Sequence, residues 1–118
     1  MELVFVYNAD AGKINAALDL MHKLVSPATY ACDLCALTYG NFGIRKEWEA
    51  FVKKLPVETR FLHKDEFLNL YPEITTKFPV LFILEGERLE QGISSEEMKI
   101  LDLNGLIMRV TEIIRFNE

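Results

Sequence analysis

The two cysteines of this 118-residue chain are separated by only two residues, in Cys32-Asp33-Leu34-Cys35. At this spacing the local backbone alone brings two thiols together. They can close a small disulfide, exchange disulfides with a partner or supply half of a tetrahedral metal site. They can also simply pack, because a free cysteine behaves as a small hydrophobic residue. The spacing leaves all of these uses open.

A metal site would need further ligands, and the only histidines are His22 and His63. Together with Cys32 and Cys35 they would form a Cys2His2 set, which suits tetrahedral zinc. Their spacing matches no familiar zinc finger, and either histidine also fits a solvated surface position. A CxxC pair from each of two chains is another way to hold a metal. The preferred interpretation needs no cofactor, with zinc on Cys32 and Cys35 as the alternative.

A second set of polar residues follows the first predicted strand, in the loop that contains Asn8, Asp10 and Lys13. Ligands of open α/β sheets bind at the carboxyl ends of strands. Asn8 could there orient a polar ligand, Asp10 act as a base or metal ligand, and Lys13 hold an anion. A turn followed by a helix capped by Asp10 explains the same residues without any ligand. Tyr30 could line a groove beside the cysteines or pack at its rim.

The elements that position these residues follow from hydrophobic periodicity. Apolar or alternating runs predict strands at residues 3–7, 34–39, 57–62 and 78–84, the last turning at 85–87 into a hairpin with 88–93. Helical spacing predicts helices at 14–25, 45–55 and 64–70, and a final helix capped by Asp102 or Asn104. Ser94 and Glu97 have capping-box spacing, but 98–101 could also be extended. Helices that alternate with strands predict a single α/β domain spanning 1–118.

Composition excludes several classes of function. The net charge is −5 and no basic stripe occurs, which argues against nucleic-acid binding. No apolar run approaches the roughly 20 residues that span a bilayer, so no membrane association is expected. Glu2 stands where a signal peptide carries a base, and this predicts a cytoplasmic protein. A permanent disulfide is unusual in that compartment.

The segment Phe78-Pro79-Val80-Leu81-Phe82-Ile83, followed by Gly86 and a final helix, resembles the thioredoxin-like fold. The resemblance implies a mixed sheet flanked by helices and a cis Pro79 that faces the cysteines and shapes a substrate groove. It also implies thiol-disulfide exchange or redox sensing with a protein thiol or disulfide partner. Cys32 would be the exposed attacking thiol and Cys35 the resolving thiol. A domain that keeps this fold as a non-catalytic binding or adaptor module is a further hypothesis.

The position of the CxxC departs from that family. In thioredoxins the pair lies between the first strand and its helix, where the helix N-terminus lowers the pKa of the attacking thiol. Here the corresponding loop has no cysteine, and the pair comes one helix later, at the start of an extended or irregular segment, so this activation is not expected. The chain is also similar to short, uncharacterised bacterial proteins with Asn-Ala-Asp-x-Gly-Lys and Cys-x-Leu-Cys-Ala-Leu-Thr motifs. No activity follows from that similarity.

Overall fold

The computed structural model describes residues 1–8, 32–40 and 43–117. Its centre is a four-stranded mixed sheet, which confirms the predicted α/β class. The strands of this sheet are β1 (Glu2–Tyr7), β4 (Glu58–His63), β5 (Val80–Glu85) and β6 (Arg88–Ile93). Their order is β4-β1-β5-β6, in which β1 is parallel to β4 and antiparallel to β5, and β6 is antiparallel to β5. A short separate ladder joins β2 (Tyr39–Gly40) to β3 (Gly43–Ile44).

The first strand is central because it pairs on both sides. Every residue from Leu3 to Tyr7 is buried, as a continuous apolar run predicts for a strand covered on both faces. The hairpin between β5 and β6 forms at the predicted turn. Gly86 adopts a φ of 60° there, in the left-handed region that glycine enters without steric cost.

Five described helices cover the sheet: α1 (Asp33–Thr38), α2 (Lys46–Lys53), α3 (Lys64–Leu70), α4 (Ser95–Ile100) and α5 (Leu103–Phe116). Ser94 and Asp102 cap α4 and α5 by accepting hydrogen bonds from the Glu97 and Gly105 amides. The sequence left open whether residues 98–101 are helical or extended and whether Asp102 or Asn104 caps the last helix. The structure shows a helix up to Ile100 and a cap at Asp102. Within the described ranges, none of these helices is both long and apolar enough to cross a membrane.

The predicted strand at 34–39 is wrong, because residues 33–38 form helix α1. Leu34, Cys35 and Thr38 bury one side of this helix, and the Thr38 hydroxyl donates to the Leu34 carbonyl at 2.7 Å. The run was ambiguous because leucine and alanine also favour helices, and packing decides between the two states. The helix predicted at 14–25 lies outside the described residues.

Alternation along the strands divides the core between the two faces of the sheet. On the disulfide face, Leu3, Phe5 and Tyr7 pack with both cysteines, Trp48 of α2 and the inner side of α5. On the opposite face, the α3 face, Val4 and Val6 pack with Phe67 of α3 and with Phe82. The CxxC pair therefore belongs to one core only, at the end of the central strand.

Candidate redox site beside a basic cleft

Cys32 and Cys35 form a disulfide that bridges the start of helix α1, with their Cα atoms 5.2 Å apart. Cys32 is the N-cap residue, in extended conformation, and its Sγ accepts a hydrogen bond from the Cys35 amide at 3.3 Å. Cys35 lies within the helix. The local geometry thus distinguishes the two sulfurs: Cys32 precedes the first turn and Cys35 belongs to it.

The end of the central strand supplies a second donor to the same sulfur. Asn8 follows β1, and its backbone N–H donates to Cys32 Sγ at 3.4 Å. Two backbone amides, from Asn8 and Cys35, therefore point at Cys32. Donors of this kind stabilise negative charge on an acceptor atom, so they would favour the thiolate once the disulfide is reduced.

Both cysteines are buried in the disulfide form: Cys32 is 2% exposed and Cys35 is fully covered. This differs from the expectation that Cys32 is an exposed thiol. The sulfurs pack in the hydrophobic core of the disulfide face, together with Leu34 and Trp48. A partner sulfur can therefore reach Cys32 only after neighbouring atoms have moved.

A cleft of about 560 Å³ lies at the edge of the sheet beside the disulfide. The carboxyl ends of β1, β4 and β6 and the amino end of β5 meet at this edge, as the strand directions require. Two neighbours of Cys32 line the cleft. One is Asn8, whose backbone N–H donates to Cys32 Sγ, and the other is Asp33, the next residue in the chain. The segment that leads into β5, from Ile74 to Phe78, also lines the cleft.

Basic side chains dominate the charge of this cleft. Its lining includes Lys64 from α3, Lys77 from the segment before β5 and Lys99 from α4, and among the described lining residues only Asp33 carries a carboxylate. Lys77 and Lys99 are exposed, and the Lys64 ammonium lies 5.7 Å from the centre of the Phe78 ring. In the part of the chain that the structure describes, none of the three forms an ion pair with a carboxylate.

The structure places only some of the residues predicted for a substrate groove. Asn8 lines the cleft, and the Phe78–Pro79 peptide bond is cis, the isomer implied by the thioredoxin-like resemblance. Pro79 itself is buried and follows the lining residue Phe78. Asp10, Lys13 and Tyr30 lie outside the described residues. The three cleft lysines were missed because they are far apart in sequence, and only the strand order brings their elements to one edge.

His63 ends β4 and lies beside Tyr7 in the parallel ladder, with ring centres 6.0 Å apart. Its backbone N–H donates to the Glu66 carboxylate at 2.8 Å, and its ring Nδ1 lies 2.5 Å from the same oxygen. These contacts lower the pKa of Glu66 below its ordinary value, the backbone hydrogen bond having the largest effect. Over the described ranges no three His, Cys, Asp or Glu side chains come together as a metal site; His22 lies outside them.

Searches against protein-family models, curated proteins and solved structures each found no match. No family is therefore assigned on similarity to a known protein. The disulfide, the amides that point at Cys32 and the adjoining basic cleft are the features from which a function has to be inferred.

Proposed function

We propose that this chain is a thioredoxin-like thiol-disulfide exchange or redox-sensing domain whose oxidised form contains the Cys32–Cys35 disulfide. The observation that carries the proposal is this disulfide, which lies beside a cleft whose lining includes the neighbours of Cys32. The order of elements and the mixed sheet support the thioredoxin-like part of the proposal.

The exchange runs in two steps from the dithiol form. The Cys32 thiolate attacks one sulfur of a partner disulfide, forming a mixed disulfide and releasing the first partner thiolate. The Cys35 thiolate then attacks Cys32 Sγ, forming the intramolecular disulfide and releasing the second partner thiolate. Two electrons pass to the partner, and its two thiolates take up the two protons given up by the cysteines. A dithiol of small-molecule or protein class regenerates the starting form by the reverse steps.

The two cysteines take different roles because their surroundings differ. The Asn8 and Cys35 amides point at Cys32 Sγ, so a negative charge is better accommodated there. Cys35 is fully buried within α1, where a partner sulfur cannot reach it but Cys32 Sγ can, so it takes the resolving role. The Asp33 carboxylate opposes thiolate formation, since a nearby like charge disfavours the charged sulfur.

Burial of both sulfurs favours a second candidate, a non-catalytic binding domain in which the disulfide serves packing alone. In that case the covered pair would resist exchange in the folded protein. Exchange requires local opening around Cys32, and such openings cost less than global unfolding in regions that function by moving. The two candidates therefore differ in whether the native protein exchanges its disulfide.

The deciding experiment measures reduction of insulin disulfides by dithiothreitol, with and without the protein. We expect wild-type protein to accelerate the reaction and Cys32→Ser to abolish the acceleration. Reduced Cys35→Ser, mixed with insulin after the dithiothreitol has been removed, should accumulate a mixed disulfide on Cys32. Intact-mass spectrometry detects that adduct. The variants are matched, since each replaces one sulfur by oxygen at the same four-residue turn.

Circular dichroism of each variant shows whether it is folded, which separates loss of chemistry from loss of structure. A wild-type rate equal to that of dithiothreitol alone would reject exchange and leave the binding domain. Acceleration that survives in folded Cys32→Ser would reject Cys32 as the attacking thiol.

A further inference from the structure

The cleft beside the disulfide has a charge opposite to that of the whole chain. Among the described residues that line it, Lys64, Lys77 and Lys99 carry three positive charges against the one negative charge of Asp33, in a protein with a net charge of −5. Such a local surplus attracts anionic groups and raises their association rate. The lysines come from three separate elements, so the surplus is a property of the assembled cleft.

Contacts already present do not neutralise these lysines. The ion pairs of the described residues involve other cations, such as Arg109 with Glu97 near α4 and Arg60 with Glu2 on the sheet. Lys64 lies over the Phe78 ring, an interaction that leaves its ammonium able to meet an anion. The carboxylates of a partner would therefore meet lysine ammonium groups that are not already paired with a carboxylate of the described residues.

The apolar part of the cleft indicates what kind of anion fits. Leu68, Ile74 and Phe78 line it together with the lysines. An inorganic anion would leave these apolar side chains uncovered, whereas a peptide offers carboxylates and apolar groups together. The volume of about 560 Å³ lies within the range of sites that bind small organic ligands, so it accommodates a short peptide segment.

We propose that this cleft selects protein partners whose reactive cysteine is flanked by aspartate or glutamate. The inference rests on the proposed exchange function and adds its substrate class. Lys77 and Lys99, the exposed pair, bind the partner's carboxylates, while the apolar wall covers a neighbouring side chain. The exchange itself follows the two steps given above, and the lysines act by binding.

The test uses two peptides that differ only beside one cysteine, which is flanked by two glutamates in one peptide and two glutamines in the other. Each cysteine carries a thionitrobenzoate mixed disulfide, so attack by reduced protein releases a coloured thiolate. For wild type we expect faster release from the acidic peptide at low ionic strength. The preference should fade above about 0.5 M salt, where charges are screened within a few ångströms.

The decisive variant is Lys77→Gln/Lys99→Gln, and the matched control is Lys46→Gln/Lys54→Gln, which removes the same charge from α2 and its end. An exposed ion pair changes an equilibrium about 1.5- to 5-fold. The decisive variant should therefore lower the acidic-to-neutral rate ratio about 2- to 25-fold, while the control keeps the wild-type ratio.

Four outcomes would overturn the inference, and they are distinguishable. Equal rates for the two peptides in wild type, or an unchanged ratio in the decisive variant, would reject acidic selection while leaving exchange intact. Inhibition by inorganic phosphate beyond that by chloride of equal ionic strength would assign the lysines to a small anion. No release from either peptide would reject the exchange function itself.

Discussion

The two faces of the central sheet differ in how they are covered. On the α3 face, α3 follows directly on β4, and Phe67 stacks on Phe82 with ring centres 5.0 Å apart. On the disulfide face, residues from α1, α2, α4 and α5 meet over Phe5, which stacks on Phe61 and contacts the Trp48 edge. Within residues 1–8, 32–40 and 43–117, the α3 face is covered mainly by the helix that directly follows β4, whereas the cover of the disulfide face is assembled from segments far apart in sequence.

The two sulfurs lie in the core of the disulfide face only, whereas the cleft beside them is lined by residues from both faces. The cleft lies at the sheet edge between the two faces, where the end of β1, the start of α1 and helix α4 meet α3 and the segment before β5. The α3 face has an aromatic core formed by neighbouring elements and contains no cysteine. We therefore expect the disulfide face to contribute stability and the reactive sulfurs, and the α3 face to contribute stability and part of the cleft lining.

The largest expected effect compares one buried phenylalanine from each face. Phe5→Ala and Phe67→Ala should each lower the free energy of unfolding by about 3–5 kcal/mol, because both side chains are fully buried and leave cavities. Urea denaturation of the two variants measures this. In addition, Phe5→Ala should speed reduction of the disulfide by dithiothreitol in native buffer more than Phe67→Ala does.

A loss below about 1.5 kcal/mol in either variant would show that its face repacks around the missing ring. Equal rates of disulfide reduction in Phe5→Ala and Phe67→Ala, at matched stability, would contradict the expectation that only the disulfide face protects the sulfurs.

An intermediate effect concerns the disulfide itself. Its removal should lower the free energy of unfolding by about 2 kcal/mol, since the chain-entropy model gives a modest gain for so short a loop. Urea denaturation with and without dithiothreitol measures the change, and Cys32→Ala/Cys35→Ala provides a control that the reductant does not affect. Equal stability of the oxidised and reduced protein would contradict the expectation and would assign the pair no structural role.

The smallest effect lies at the start of α3, where His63 holds the Glu66 carboxylate. The folded-state pKa of Glu66 is below its ordinary value, so its stabilising contribution is present above that ordinary value. It is lost as pH falls through the lower folded-state pKa. The stability difference between wild type and Glu66→Gln should therefore shrink between about pH 6 and pH 3.

Thermal unfolding across this pH range checks the expectation, with Glu73→Gln as an exposed-glutamate control. A difference between wild type and Glu66→Gln that stays constant with pH would mean that the carboxylate contacts do not stabilise the folded protein.

Much of the fold could be predicted because its elements have strong periodic signals. The buried run at 3–7, the hairpin around Gly86 and the final helix all appear as expected. The error fell at 34–39, a short run of leucine, alanine and threonine whose local preferences are weak. There the hydrogen bonds of Cys32 and Thr38 and the burial of Leu34 fix a helix.

The site was predictable only in part. Its cysteine pair depends on residues close together in sequence, whereas its cleft depends on residues far apart in sequence. The spacing of Cys32 and Cys35 brings the sulfurs together through four residues of backbone, which the sequence reveals directly. The Asn8 amide beside Cys32, and the approach of Lys64, Lys77 and Lys99, depend on strand order. Strand order is decided by pairing between strands that are far apart in sequence, so no local sequence pattern predicts it.

The sequence by itself determined the α/β class, the central strand and the pair of neighbouring thiols, because each arises from short-range periodicity or spacing. Tertiary structure alone decided that Cys32 caps a helix that contains Cys35, that both sulfurs are buried, and that a basic cleft opens beside them in an acidic protein. These features require segments that lie up to about a hundred residues apart in sequence to pack together. Burial and local charge depend on which segments become neighbours in the folded protein.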